Sequence, residues 1–172
     1  MSASSRDGRP EPSRGSDAER ALQDRHLARA RSAYARAVGA CRRAGIEPDQ
    51  AEAVPSGPAA RAANAVRLSA RSIAEAEGRA PDPAADARCA RNAAAAAAVA
   101  AQAAHATDAG GAFADTALQA AVRASQASAE AAGGHDAGRD ETLTTRADAT
   151  ETEARAAARR AGWTEEPAPA TS

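Results

Sequence analysis

The sequence contains no lysine, and aromatic, cysteine and large aliphatic residues are all scarce. Among 172 residues there are one Trp, one Tyr, one Phe and two Cys, and Leu, Ile, Val and Phe together number 13. Two cysteines without a CxxC spacing do not form a disulfide scaffold and favour a reducing cytoplasm. Three aromatic residues provide no stacking surface for single-stranded nucleic acid.

Long hydrophobic runs are also missing. The first 16 residues lack the apolar segment of a signal peptide, and no stretch approaches 18 strongly apolar residues. We therefore expect a cytoplasmic protein with no membrane association. All 22 basic residues are Arg, and together with the excess of Ala this composition indicates a GC-rich bacterial genome rather than a requirement for guanidinium chemistry.

Alanine takes the place of the missing side chains, with 57 copies in the chain. Alanine has the highest helix propensity because it loses no side-chain entropy on ordering. The richest stretch is 83–107, which contains NAAAAAAVAAQAAHA. Asp82 is a good N-cap, Pro83 suits the first helical position, and Gly110 and Gly111 stop the helix. We predict that this helix is the element against which the rest of the chain packs.

Four further helices follow from apolar spacing and from glycine or proline at each joint. The first begins at a capping box, Ser16 to Glu19, and ends at Gly45. The others are predicted at about 58–77, 112–132 and 142–161, and no strand pattern is present. The predicted fold is all-α, an antiparallel bundle of four to five helices with an Ala-rich core and disordered termini.

The predicted organisation divides the chain at its glycine-rich and proline-rich segments. It comprises a disordered tail at 1–15, a four-helix bundle core at 16–132, a flexible Gly-rich linker at 133–141, a fifth helix at 142–163 and a disordered tail at 164–172. A buried methyl contributes roughly 0.8 kcal/mol, whereas ordering one residue's backbone costs roughly 1 to 2 kcal/mol. We therefore expect marginal stability, or stabilisation by a second copy or a partner.

The cysteines and two histidines are the candidate metal ligands. Cys41, Cys89, His26 and His105 all fall in predicted helices, but they form no close-spaced pair, and no ExxH motif for a di-iron centre occurs. We expect small buried thiols with flanking histidines, and no metal or cofactor. An alternative is a redox-sensitive thiol, since arginines flank both cysteines and a nearby cation lowers a thiol pKa.

Arginines on the first helix are the candidate phosphate contacts. Arg25, Arg29, Arg36 and Arg43 lie near one face, and Arg20, Arg31 and Arg42 add charge, which is the pattern that phosphate binding needs. The net charge of −1 argues against a nucleic-acid partner. We expect a solvated arginine face and keep nucleic-acid binding as an alternative.

The remaining large side chains are assigned structural positions. Trp163, Phe113 and Tyr34 are expected in the core or at helix caps, and Leu68 is expected to be singly exposed.

No motif for a nucleophile, a phosphate loop or an acid–base pair is present, so no catalytic, cofactor-binding or metal residue is predicted. We expect a non-enzymatic interaction or scaffolding protein that acts through helix–helix association, with a protein partner or with a second copy. The alternatives are a nucleic-acid-associated protein and a small-molecule or metal-binding helical bundle.

Overall fold

A computed structural model describes residues 14–50, 56–108 and 111–164. The tails predicted at 1–15 and 164–172 therefore lie largely outside the described residues, although Arg14 and Gly15 belong to the first helix. Within the described part the chain is helical and contains no strand, so the all-α prediction is confirmed. The helices are α1 (Arg14–Arg43), α2 (Pro58–Glu77), α3 (Pro83–Thr107), α4 (Ala114–Ala132) and α5 (Glu141–Arg160), with a short 3-10 helix at Pro48–Gln50.

Helix ends follow the local signals closely. The Asp82 side chain accepts a hydrogen bond from the Ala85 N–H at 3.1 Å, which confirms the predicted cap of α3. Beyond α1, the Ile46 N–H donates to the Cys41 carbonyl at 2.9 Å, and Gly45 has a φ of 68°. This is a Schellman motif. Helix α1 itself begins earlier than predicted, at Arg14, so Ser16 lies within its first turn.

The helices are arranged around α3, which packs against α1, α2 and α4. Helix α5 packs against α4 and α1, so α1, α3, α4 and α5 close a ring, and α2 lies outside it against α1 and α3. Consecutive helices run antiparallel, as predicted, whereas α1 and α5 run in the same direction. The predicted division into a 16–132 core and a separate fifth helix remains a prediction; the contacts show that α5 joins the bundle directly.

The core consists largely of alanine methyl groups, which allow helix backbones to approach closely. Two glycines mark the closest approaches. A Cβ at Gly39 of α1 would overlap the carbonyl of Trp163, and a Cβ at Gly138 would overlap the carbonyl of Pro83. Buried alanines of α1 and α3 at 0–2% exposure include Ala30, Ala33, Ala37, Ala40, Ala90, Ala93, Ala94, Ala97, Ala100, Ala101 and Ala104.

Candidate functional site

The contact between α1 and α5 is built from charged side chains rather than methyl groups. Arg36 of α1 and Glu151 of α5 form a two-pronged ion pair, with Nε to Oε1 at 2.9 Å and Nη2 to Oε2 at 2.6 Å. Their side chains are only 4% and 5% exposed. The Ser32 hydroxyl also donates to Glu151 Oε1 at 2.8 Å. Because both charges are removed from water, each needs the other to remain buried.

A second ion-pair cluster lies one to two turns earlier, around Asp148 of α5. Arg29, itself buried, donates to Asp148 Oδ1 at 2.6 Å, and Arg25 pairs with the other carboxylate oxygen. Arg25 also donates to both Glu141 oxygens at 2.8 and 2.9 Å and to the Thr145 hydroxyl at 2.9 Å. The hydrogen bond from Arg25 is the main cause that lowers the pKa of Glu141.

His26 completes this network and is fully buried. Its Nδ1 lies 2.9 Å from Arg29 Nη2, and its Nε2 lies 2.8 Å from the Gly138 carbonyl. A guanidinium can only donate, so Nδ1 is the acceptor and Nε2 carries the proton. Burial lowers the pKa of His26, and the charge of Arg29 acts in the same direction. His26 is therefore a neutral link between α1 and the segment that precedes α5.

These contacts change the interpretation of the arginine stripe. Arg25, Arg29, Arg36 and Arg43 share a face, as predicted, but every one has a carboxylate partner; Arg43 pairs with Asp108 at 2.7 Å. The expected solvated face is wrong for Arg29 and Arg36, which are buried. Sequence reasoning missed their partners because α5 is distant in the chain. The carboxylates compete with phosphate for this stripe.

An open groove of about 910 Å3 lies beside this network, between the C-terminal half of α1 and the end of α5. Small side chains of α1 form much of its lining, and arginines from both helices stand around it. Arg155 and Arg159 of α5 are exposed, and within the part of the chain that the structure describes neither has a carboxylate partner. The lining residues are Ala28, Arg31, Ser32, Tyr34, Ala35, Arg36, Val38, Gly39, Arg42, Arg43, Arg155, Arg159, Gly162, Trp163 and Thr164.

A smaller groove of about 310 Å3 continues toward the N-terminal half of α1. It shares Ala28, Ser32, Arg155 and Arg159 with the larger one. Its remaining lining includes Asp148 and Glu151, so the surface changes from basic to mixed charge along the α1–α5 seam.

The candidate metal ligands are spread over the bundle. His26 lies at the end of α3 that begins with Pro83, whereas His105 lies near its other end and contacts Asp115 at 2.6 Å. Across residues 14–50, 56–108 and 111–164, no group of three or more His, Cys, Asp or Glu side chains is placed to hold a metal ion.

Both thiols are buried in the alanine core. Burial raises the pKa of Cys41 to about 11 and also raises that of Cys89. The direction is opposite to the one that the hypothesis of a redox-sensitive thiol requires, so the flanking arginines do not activate these cysteines.

The large side chains divide between core and surface. Trp163 is 2% exposed, Tyr34 is half-buried, and both line the larger groove. Leu68 is 52% exposed, as expected. Phe113 occupies the N-cap position of α4, but its side chain makes no cap hydrogen bond and is 52% exposed, so the prediction of a core side chain is wrong for it.

Comparison with protein-family models, with curated proteins and with solved structures gives no match to this chain. Of the helices in the described part, none combines the length and the apolar character that crossing a membrane requires. The interpretation of the grooves therefore rests on their own geometry and charge.

Proposed function

We propose that this chain is a non-enzymatic protein-interaction module that acts through helix–helix association, and that the larger groove between α1 and α5 receives a helix of a protein partner. The observation that carries the proposal is the open groove with small side chains along its α1 wall. Ala28, Ser32 and Ala35 follow one another at intervals of four and three residues. This spacing places them on one face of the helix.

The dimensions of the groove favour a helix over a compact ligand. From Ala28 to Arg43, α1 extends for roughly 22 Å at 1.5 Å per residue, which is about four turns of a partner helix lying alongside. Small residues in the wall let a partner backbone approach to the short end of the usual 8 to 10 Å range of helix–helix distances. The continuation into the smaller groove extends the same surface in one direction.

The experiment uses three Ala-based helical peptides of about 18 residues, a length at which isolated helices become populated. The three peptides differ only at a fixed set of positions on one helix face, where the first carries Glu, the second Gln and the third Lys. Binding to the full chain is measured by fluorescence anisotropy, for the wild type and for Ala35→Trp, which places an indole in the groove. Ala95→Trp, at an exposed position of α3 away from the groove, is the matched control.

We expect at least one peptide to bind the wild type and the Ala95→Trp variant, and to lose binding to Ala35→Trp. If no peptide of the three binds, or if Ala35→Trp binds as well as the wild type, the groove is not a docking site for a helix.

A further inference from the structure

We infer that the helix received by the groove is acidic, and that Arg155 and Arg159 recognise carboxylates on it. This inference rests on the proposed function, because it specifies the partner of the same groove. It follows from an imbalance of charge: the groove is surrounded by arginines, and the protein's own carboxylates neutralise only some of them.

The paired arginines can be identified one by one. Arg36 is matched by Glu151, Arg31 by Glu77 at 2.7 Å, and Arg43 by Asp108 at 2.7 Å. Each of these carboxylates belongs to the bundle itself, so these arginines contribute little net charge to a ligand.

Arg155 and Arg159 are different. Both are exposed, both line the larger and the smaller groove, and neither has a carboxylate partner among the residues that the structure describes. They are four residues apart on α5, so they stand on one face at about 5 to 6 Å between their Cβ atoms. The helix dipole favours a cation in the last turn, where Arg159 lies, but Arg155 is a full turn earlier.

This pair matches carboxylates that are themselves one helical turn apart. A helix with Glu or Asp at positions i and i+4 presents two carboxylates at the same spacing, so a partner helix lying along the groove can pair with both arginines. Guanidinium groups bind carboxylates through two parallel hydrogen bonds, which adds direction to the attraction.

A protein helix fits the surface better than nucleic acid does. The smaller groove continues the same seam, and its Arg25 and Arg29 are already paired with Asp148, so among the described lining residues it adds no unpaired cation for a continuous phosphate backbone. A helix with acidic residues over only part of its length places them beside Arg155 and Arg159 and leaves the mixed-charge part to polar contacts. The groove thus favours a partner whose acidic residues are clustered rather than uniform.

The charge test compares the Glu, Gln and Lys peptides on the full-length wild type and on the double variant Arg155→Gln/Arg159→Gln. Arg61→Gln/Arg123→Gln, at exposed positions of α2 and α4, is the control because it removes the same net charge elsewhere. We expect the Glu peptide to bind the wild type most tightly and the groove variant to weaken it about three- to tenfold, as expected for two exposed ion pairs. Affinity for the Gln peptide is expected to stay unchanged in both variants.

Several outcomes overturn the inference. If the Glu and Gln peptides bind equally and Ala35→Trp still blocks both, the inference of an acidic partner is wrong but the proposed function stands. Equal weakening by the control variant attributes the effect to net charge. Tighter binding of a DNA duplex than of the Glu peptide, lost in the groove variant, assigns the site to nucleic acid.

Two further occupants are tested in the same way. Concentration-dependent dimerisation in analytical ultracentrifugation that Ala35→Trp abolishes makes the occupant a second copy. If a peptide binds only after residues 165–172 are removed, the occupant of the groove is the chain's own C-terminal segment, which includes Glu165 and Glu166. Either result replaces the acidic partner helix.

Discussion

Helix α1 packs against α3 along one contact surface, the alanine seam, and against α5 along another, the charged seam. Toward α3 its buried residues are alanines and Cys41, whereas toward α5 they are Arg29, Arg36 and His26. Methyl contacts require no particular partner atom, so the first seam tolerates small shifts between the helices. Buried charges tolerate none, because each must meet its counter-charge. The alanine seam thus supplies close contact, and the charged seam fixes where α5 lies.

The difference also determines which kinds of substitution destabilise each seam. Replacing a buried ion pair by apolar residues is often neutral or stabilising, but removing one partner leaves an uncompensated buried charge. An alanine seam has no such sensitivity to deletion and is disturbed mainly by added volume.

The largest loss of stability is expected from a substitution of Glu151 in the charged seam. We expect Glu151→Ala to lower the free energy of unfolding by about 3 to 5 kcal/mol, because Arg36 then stays buried without a counter-charge. Urea denaturation followed by circular dichroism measures this change. Glu153→Ala is the control, because Glu153 is exposed and lies two residues further along α5. It should change stability by less than about 0.5 kcal/mol.

A double variant, Arg36→Met/Glu151→Leu, sharpens the same comparison. We expect it to recover most of the loss, since neither charge is then left unpaired. A double variant as unstable as Glu151→Ala would mean that the shape of the pair, and not its charge, holds α5 in place.

The alanine seam should respond to added volume. At Ala37, which is fully buried on α1, substitution by Leu is expected to destabilise the protein by about 1 to 3 kcal/mol because close-packed helices must separate. Ala35→Leu, two residues away and exposed, is the matched control in the same urea experiment. Equal stability of the two variants would contradict a tightly packed α1–α3 seam.

The charged seam should also respond to pH through His26. Its pKa is lowered in the folded state, so the unfolded chain binds the proton more readily and stability falls as the pH drops below about 6.5. The slope for one proton cannot exceed about 1.4 kcal/mol per pH unit. Urea titrations between pH 7.5 and 5.5 measure it.

His26→Gln is expected to reduce that slope and His105→Gln to preserve it. The carboxyl groups with lowered pKa values, Glu141 and Asp108, act in a separate window: their contribution is lost only as the pH falls below about 4.5. A slope that survives in His26→Gln would place the titrating group elsewhere.

A further prediction concerns the thiols of the alanine core. With burial raising the pKa of Cys41 to about 11, native Cys41 should react with an aromatic disulfide reagent at pH 7.5 about a hundredfold more slowly than in the urea-unfolded chain. Cys89, whose pKa is also raised by burial, should likewise react more slowly in the native protein than in the unfolded chain. Fast labelling of either thiol in the native protein would show that the alanine seam opens readily.

The predictability of the fold from the sequence follows the same division. The cap at Asp82 and the glycine stops at Gly45 and Gly162 use contacts within a few residues, and these boundaries were predictable to within two positions. The buried face of α5 was predictable only in part: apolar spacing indicates Ala147, Ala154 and Ala157, which are buried, but it does not indicate the polar Thr144 and Glu151. Glu151 is recognised as internal only when its partner Arg36 is known.

The candidate groove was unpredictable for the same reason. Arg155 and Arg159 were indistinguishable in sequence from the other arginines, and only the positions of carboxylates on other helices showed which guanidinium groups lacked a partner. Among the aromatic residues, Trp163 was correctly expected in the core or at a cap and is buried, whereas Phe113 had no local signal for its exposure.

The sequence by itself determined that this chain is a set of alanine-rich helices and, to within about two residues, where each of them begins and ends. The reason is that helix propensity and capping depend on neighbours within one turn. Tertiary structure alone decided that α5 closes the ring, that Arg29 and Arg36 are buried with their counter-charges, and that an arginine-lined groove opens beside them. Charge pairing acts between residues more than a hundred positions apart, and no local pattern encodes such a partner.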